Sequence, residues 1–339
     1  MNVLNYEQFL KNKEKGYLLV DVRTPKEFEE EGIPGAINIP LLLDEERVQI
    51  GTTYKQVSPE KAKEEGIEAI AKRLPELFRE VQKVASQCRR IVFYCARGGM
   101  RSTSMAALFT ALGYKCSKLE GGYRGYRQYI LSEIPKLNEG IKYIVLHGKT
   151  GVRKTKLLNI LEEQGFNVLN LEKLADHKGS FYGGLGQKRK QSQKRFESLI
   201  FEALFAKPTY LFVESESKRI GDLYLPDTIY DSIMNGQHLL IEASLEQRVE
   251  TIMEDYANST KEELVECTKK LQRYMNKKTV ASYLDMIEKG NLSELAKMIM
   301  EEYYDPLYLK SIEKYTFDAT IHSENLEVAL EQLKFILGS

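Results

Sequence analysis

Short apolar runs alternate with longer stretches in which apolar residues recur every three or four positions, a pattern that predicts strands alternating with helices. Tyr17-Leu18-Leu19-Val20-Asp21-Val22 reads as a buried strand, and Thr24-Pro25-Lys26-Glu27-Phe28 as a helix start with Thr24 as N-cap and Pro25 in the first turn. Residues 32–40 give a turn and a short strand, residues 60–87 a helix, Ile91-Val92-Phe93 a strand and residues 103–112 another helix. Gly121-Gly122-Tyr123-Arg124-Gly125-Tyr126 closes this first unit.

The pattern restarts at Lys142-Tyr143-Ile144-Val145-Leu146-His147, an apolar strand followed by a Gly-containing loop and a helix over 156–164. Further strands are expected at 167–171, 210–213, 238–241 and 317–321, and residues 259–304 read as mostly helical. The polar stretch Pro135 to Gly140 is the expected linker. The reading is therefore two α/β domains with mainly parallel sheets, 1–135 and 141–339, the second carrying a helical insertion or extension around 259–310.

Composition changes this picture little, since a hydrophobic fraction of 42% suits real cores. Lys+Arg and Asp+Glu are equal at 49 each, so a polyanion has to be met by a local patch and not by a generally basic coat. The four cysteines, Cys88, Cys95, Cys116 and Cys267, form no CxxC pair, and the first residues show no basic-then-apolar targeting pattern. Those features predict a reduced, cytoplasmic protein; with no apolar segment near the roughly 20 residues that span a bilayer, no membrane partner is expected.

Candidate chemistry concentrates in three places. In Tyr94-Cys95-Ala96-Arg97-Gly98-Gly99-Met100-Arg101-Ser102, a thiol at the end of a strand meets a Gly-containing loop and a helix start, where backbone N–H groups favour negative charge. The same field lowers a thiol pKa, making Cys95 a candidate nucleophile with Arg97 and Arg101 as anion holders; the bland alternative is a buried structural cysteine. Cys95 to Arg101 has C-x5-R spacing, and its width suits a tetrahedral phosphate-like group.

The second place is Gly148-Lys149-Thr150-Gly151-Val152-Arg153-Lys154-Thr155, close to the phosphate-cradling pattern G-x-x-x-x-G-K-[ST] between a strand and a helix. Gly148, Gly151, Arg153, Lys154 and Thr155 are the candidate phosphate binders. Arg153 stands where the pattern has its second Gly, and its side chain either obstructs the anion or contacts it. Glu214 ends the apolar run Tyr210-Leu211-Phe212-Val213, so Thr155 and Glu214 are the candidate metal pair, with Mg²⁺ as the ion. The third place is basic: His177 and Lys178, then Lys188, Arg189, Lys190, Lys194 and Arg195, read either as an RNA-backbone contact or as a solvated face.

Asp21-Val22-Arg23-Thr24-Pro25, Ile33-Pro34-Gly35-Ala36, the Cys95 loop and Gly121-Gly122-Tyr123 together resemble a rhodanese domain over about the first 130 residues. The C-x5-R spacing also occurs in rhodanese-fold phosphatases. With the P-loop domain, Leu171-Glu172-x-Leu174-Ala175-x-His177-x-Gly179-Ser180, Ser192-Gln193-Lys194-Arg195-Phe196-Glu197, Val213-Glu214-x-Glu216-Ser217-x-Arg219-Ile220-Gly221 and Tyr303-Tyr304-Asp305-Pro306-x-Tyr308, the whole chain resembles the tRNA 2-selenouridine synthase family. Departures are Ala96 for Trp, Arg153 for Gly, Lys178 for Arg and Ser215 for Asp.

The resemblance implies a rhodanese-like parallel-sheet domain followed by a P-loop NTPase-like domain, and a transferase acting on tRNA with wobble 2-thiouridine. It implies S-geranylation from geranyl diphosphate, then replacement by selenium from selenophosphate, with Cys95 as selenium carrier or nucleophile. The competing readings are a rhodanese-fold phosphatase or sulfurtransferase with an appended phosphate-binding module, and an RNA-binding or regulatory protein with both sites inactive.

Overall fold

The computed structural model describes residues 2–177, 191–257 and 259–338, which form two compact units: Met1–Lys136 with Glu197–Phe201, and Leu137–Phe196 with Glu202–Ser339. In the first unit β1 (Asn2–Leu4), β2 (Tyr17–Asp21), β3 (Ile37–Asn38), β4 (Arg90–Tyr94) and β5 (Cys116–Leu119) make a parallel sheet in the order β1-β5-β4-β2-β3. Central β4 is buried from Ile91 to Tyr94, which is why its sequence is an unbroken apolar run instead of an alternation. One core joins Val20, Val22 and Phe93 to Leu77 and Val81 of the helix Pro59–Ala85 and to Phe109 of the helix Met100–Ala111.

Thr24 caps the helix Pro25–Glu31 as the sequence predicts, and Glu27 completes a capping box. The expected linker at 135–140 contains the division between the two units, at Lys136 and Leu137, but much of it is helical: the helix Gly122–Asn138 runs through Pro135. Tyr126, Ile130 and Ile134 fall on one buried face at four-residue spacing, and that burial outweighs the backbone bond that proline cannot make. A helix at Asp44–Gln56 adds to the expected elements; it buries only Thr53, so it carries almost no apolar periodicity to betray it.

The second unit is also parallel, β6 (Lys142–His147), β7 (Val168–Leu169), β8 (Tyr210–Glu214), β11 (Gln237–Glu242) and β12 (Ala319–His322) in the order β12-β11-β6-β8-β7. A small antiparallel hairpin, β9 (Arg219–Ile220) and β10 (Leu223–Tyr224), stands apart from it. Ile144, Leu146, Phe212 and Leu239 pack with Leu157, Leu158 and Leu161 of the helix Lys154–Glu163. The expected helical region resolves into Lys261–Lys270, Lys277–Lys289 and Leu292–Ile299, then a π-helical turn Met300–Tyr304 into Asp305–Ile312. Its own core is built on Leu271, Val280, Tyr283, Ile287, Leu295 and Ile299. Among the described residues no helix is long and apolar enough to cross a membrane.

Candidate functional site

Cys95 follows β4 directly, and its loop is held from below by the Gly121-Gly122-Tyr123 turn. Tyr123 N–H donates to Cys95 O at 2.8 Å and Arg124 N–H to Ala96 O at 3.0 Å. Gly122 has φ +57°, and a Cβ there would lie 2.1 Å from Cys95 O and 2.5 Å from Gly98 N. Only glycine lets the two backbones approach so closely, so this motif serves to seat the thiol loop. Asp21-Val22-Arg23 is likewise architectural: the Arg23 guanidinium donates to both Asp21 carboxylate oxygens at 2.8–3.1 Å and lies 4.3 Å from the Tyr123 ring centroid.

The thiol itself is only 4% exposed, with Sγ 3.2 Å from the buried Ser102 Oγ. Burial pushes the Cys95 thiol up, but the Ser102 hydroxyl, the backbone N–H groups of Ser102 and Arg97, and the charge of Arg101 outweigh it and hold it below the usual cysteine value. In the other three cysteines burial outweighs what opposes it: it raises Cys88 against one Arg90 backbone N–H and Cys267 against Lys270, and takes Cys116 up to about 11 against the charge of Arg90. Of the four cysteines, Cys95 is the one whose surroundings favour the thiolate. Arg101 is tied to Glu27 by hydrogen bonds of 2.8 and 3.4 Å, whereas Arg97 is exposed. Ser102 and Glu27 are the residues here whose roles the motif did not reveal. Ser102 had a signal, a hydroxyl one helical turn inside the loop's helix start; Glu27 had none, being 74 positions from Arg101.

The second site lies between β6 and the helix Lys154–Glu163. Lys154 Nζ donates to Gly148 O at 2.7 Å and Lys149 O at 3.2 Å, and burial lowers its pKa. Gly151 has φ +84°, and a Cβ would meet Arg248 O at 2.7 Å. Arg153 also adopts the left-handed region, φ 64°, which explains why the phosphate-loop pattern asks for glycine there. Its Nε donates to Thr251 Oγ1 at 3.2 Å, and with Lys154 and Thr155 it lines a cavity of about 150 Å³ that also takes in Glu172 and Glu216.

Thr155 and Glu214 are linked through Glu172, which the sequence pattern did not mark as a ligand. Thr155 Oγ1 donates to a Glu172 carboxylate oxygen at 2.8 Å, and Glu172 N–H donates to Glu214 Oε1 at 2.7 Å. Glu214 is fully buried with Oε2 lacking a partner, and burial together with Glu172 holds its carboxyl well above the usual range. Burial and Glu172 also push Glu216 up to about 8. Among the described residues no group of three or more His, Cys, Asp and Glu surrounds a single point in the manner of an all-protein metal cage.

The loop is braced from the far end of the chain. Buried Arg248 donates through Nε to Thr150 O at 2.8 Å and grips both Asp305 oxygens at 2.6 and 2.9 Å; Lys149 adds an ion pair to Asp305 at 3.2 Å. Tyr308 follows, its ring 5.8 Å from Lys154 Nζ. The Asp305-Pro306-x-Tyr308 motif is therefore part of the phosphate-loop region, which sequence distance concealed.

Of the basic residues, Lys178, Lys188, Arg189 and Lys190 lie outside the described residues. His177 is half-buried against Gly221 of the hairpin, and burial lowers its pKa. Lys194 is exposed and Arg195 half-buried in the first turn of the helix Gln193–Phe205.

These sites define a chain in which a rhodanese-like thiol loop precedes a P-loop domain of AAA type: the family described as rhodanese-like domain matches residues 5–129, and that described as tRNA 2-selenouridine synthase AAA domain matches residues 141–290. A tRNA 2-selenouridine synthase of Nitrosomonas europaea is 36% identical over 248 residues, 71% of this chain and 64% of that protein. One of Hydrogenovibrio crunogenus is 30% identical over 333 residues, 88% of this chain and 90% of that protein. The chain belongs to the tRNA 2-selenouridine synthase family.

Proposed function

We propose that the protein is a tRNA-modifying transferase that converts wobble 2-thiouridine to 2-selenouridine in two steps. The observation that carries this reading is one chain holding both a thiol kept below its ordinary pKa and a separate phosphate loop with a half-buried lysine hydrogen-bonded to the loop carbonyls. In the first step the thiocarbonyl sulfur takes the geranyl group of geranyl diphosphate: the S–C bond forms, the C–O bond to diphosphate breaks, and pyrophosphate leaves. S-alkylation makes C2 electrophilic and turns the sulfur into a leaving group, while Lys154, Arg153 and the loop N–H groups stabilise the departing charge. Mg²⁺ fits the oxygen donors around Thr155, since Glu214 Oε2 is an orphaned buried acceptor and P-loop sites hold this ion with few protein ligands. Thr155, Glu214 and Glu172 would hold it, and bound there it would neutralise diphosphate oxygens.

In the second step selenium of selenophosphate bonds to C2, the C2–S bond breaks and geranylthiol leaves, and water cleaves the Se–P bond to release phosphate. Cys95 acts as the nucleophile that displaces the geranylthio group and is itself displaced by selenium, with Arg97 and Arg101 at the phosphate end. The test is mass analysis of wobble uridines from cells lacking the gene. Loss of both geranylated and selenated nucleosides, restored by the wild-type gene, is expected; unchanged nucleosides overturn the reading in favour of a phosphatase or sulfurtransferase.

A further inference from the structure

An apolar cavity of about 260 Å³ shares Thr150, Ile252 and Tyr256 with the phosphate-loop cavity. Four parts of the second unit build its wall: the helix Leu245–Asp255 with Ile252, the helix Lys261–Lys270 with Leu264, the helix Leu292–Ile299 with Leu295 and Ile299, and the π-helical turn with Met300. Close-packed interiors leave few voids larger than a water molecule, so an apolar space of this size beside a polar site is a binding feature and not ordinary packing. The π turn is a second pointer, because such turns occur mostly as single-turn bulges inside α-helices and are frequent at functional sites. Its last residue, Tyr304, lines the cavity and is followed at once by Asp305, which braces the phosphate loop through Arg248.

A ligand filling both spaces is amphiphilic, with an anionic head at Lys154 and a hydrocarbon tail among Ile252, Leu264, Leu295 and Ile299. We propose that this cavity is the tail pocket for the prenyl chain of the diphosphate substrate, and that its depth selects the chain length. The inference rests on the prenyl-transfer step proposed above. Wall residues from the helical region then set specificity, while the loop supplies affinity for any diphosphate.

The test is calorimetric titration of the full-length protein with inorganic pyrophosphate, geranyl diphosphate and farnesyl diphosphate, which is one isoprene unit longer. Wild type is expected to prefer geranyl diphosphate over pyrophosphate by at least about tenfold, the gain from burying an alkyl chain. Leu295→Trp, which fills the cavity, should abolish that preference and leave pyrophosphate affinity within about twofold of wild type; a preference that survives overturns the pocket. Should Leu295→Trp lose pyrophosphate binding as well, Ile299→Ala decides: deepening the pocket should raise farnesyl relative to geranyl affinity at least about fivefold, and an unchanged ratio overturns it. A wild type that binds geranyl diphosphate no better than pyrophosphate removes the prenyl-transfer reading itself.

Discussion

The lowered pKa of the Cys95 thiol comes from a few donors around one sulfur. A hydrogen bond to a charged acceptor contributes about 1.5–3 kcal/mol, so removing the Ser102 hydroxyl should raise the thiol by about one pH unit or more. Peptide mapping after iodoacetamide treatment across pH should show Cys95 reacting with a midpoint below the ordinary thiol value and moving upward in Ser102→Ala; an unshifted midpoint removes Ser102 from the account. Arg153 is the other residue to probe. Left-handed backbone costs a non-glycine residue about 1–2 kcal/mol, yet its guanidinium lines the phosphate-loop cavity. Arg153→Gly relieves the strain but should lower pyrophosphate affinity by about tenfold or more, the loss of a charge-assisted contact of about 1.5–3 kcal/mol; a rise in affinity would mean that the side chain obstructs the anion.

Between elements, the brace from Arg248 to Asp305 holds the loop's carbonyl at Thr150. Leaving buried Arg248 without its carboxylate costs about 3 kcal/mol, so Asp305→Ala should lower the melting temperature and weaken pyrophosphate binding while Cys95 alkylation stays unchanged. Burial raises the Asp305 carboxyl, but Arg248 and then Lys149 outweigh it and hold it below its ordinary 3.8. A depressed folded value contributes stability that is complete at neutral pH and lost as pH falls through it, so wild type should lose melting temperature toward pH 3 more steeply than Asp305→Asn; parallel pH profiles would contradict the brace. The strands β2, β4, β6, β8, β11 and β12, the phosphate loop and the thiol loop were legible because each depends on local pattern: β4 is an apolar run, and residues 148–155 sit between strand and helix. The strands β1 and β5 and the β9–β10 hairpin, two to four residues long, were not. Nor were the links from Glu27 to Arg101, Glu172 to Thr155 and Asp305 to Arg248, because tertiary packing joins positions 74, 17 and 57 apart. Pro135 misled because tertiary packing decided there too, since burial of its helix face overrode a local breaker.

For the whole molecule, zero formal charge means that a tRNA polyanion must be met locally, and the segment from Lys188 to Arg195 is the dense basic run. Ala at Lys188, Arg189 and Lys190 should weaken tRNA binding and flatten its salt dependence by roughly 0.7–0.9 logarithmic units for each phosphate no longer neutralised, with pyrophosphate affinity unchanged. Filter binding across salt concentrations measures the slope, and an identical slope returns the segment to ordinary solvated surface. The central claim is a division of labour: the phosphate loop alkylates the thiouridine and Cys95 handles selenium. Purified Cys95→Ser and Lys154→Ala, each given thiouridine tRNA, geranyl diphosphate and selenophosphate, test it by nucleoside mass spectrometry. The account predicts that Cys95→Ser accumulates S-geranyl-2-thiouridine without 2-selenouridine and that Lys154→Ala leaves 2-thiouridine largely unmodified; selenation by Cys95→Ser at the wild-type rate contradicts it.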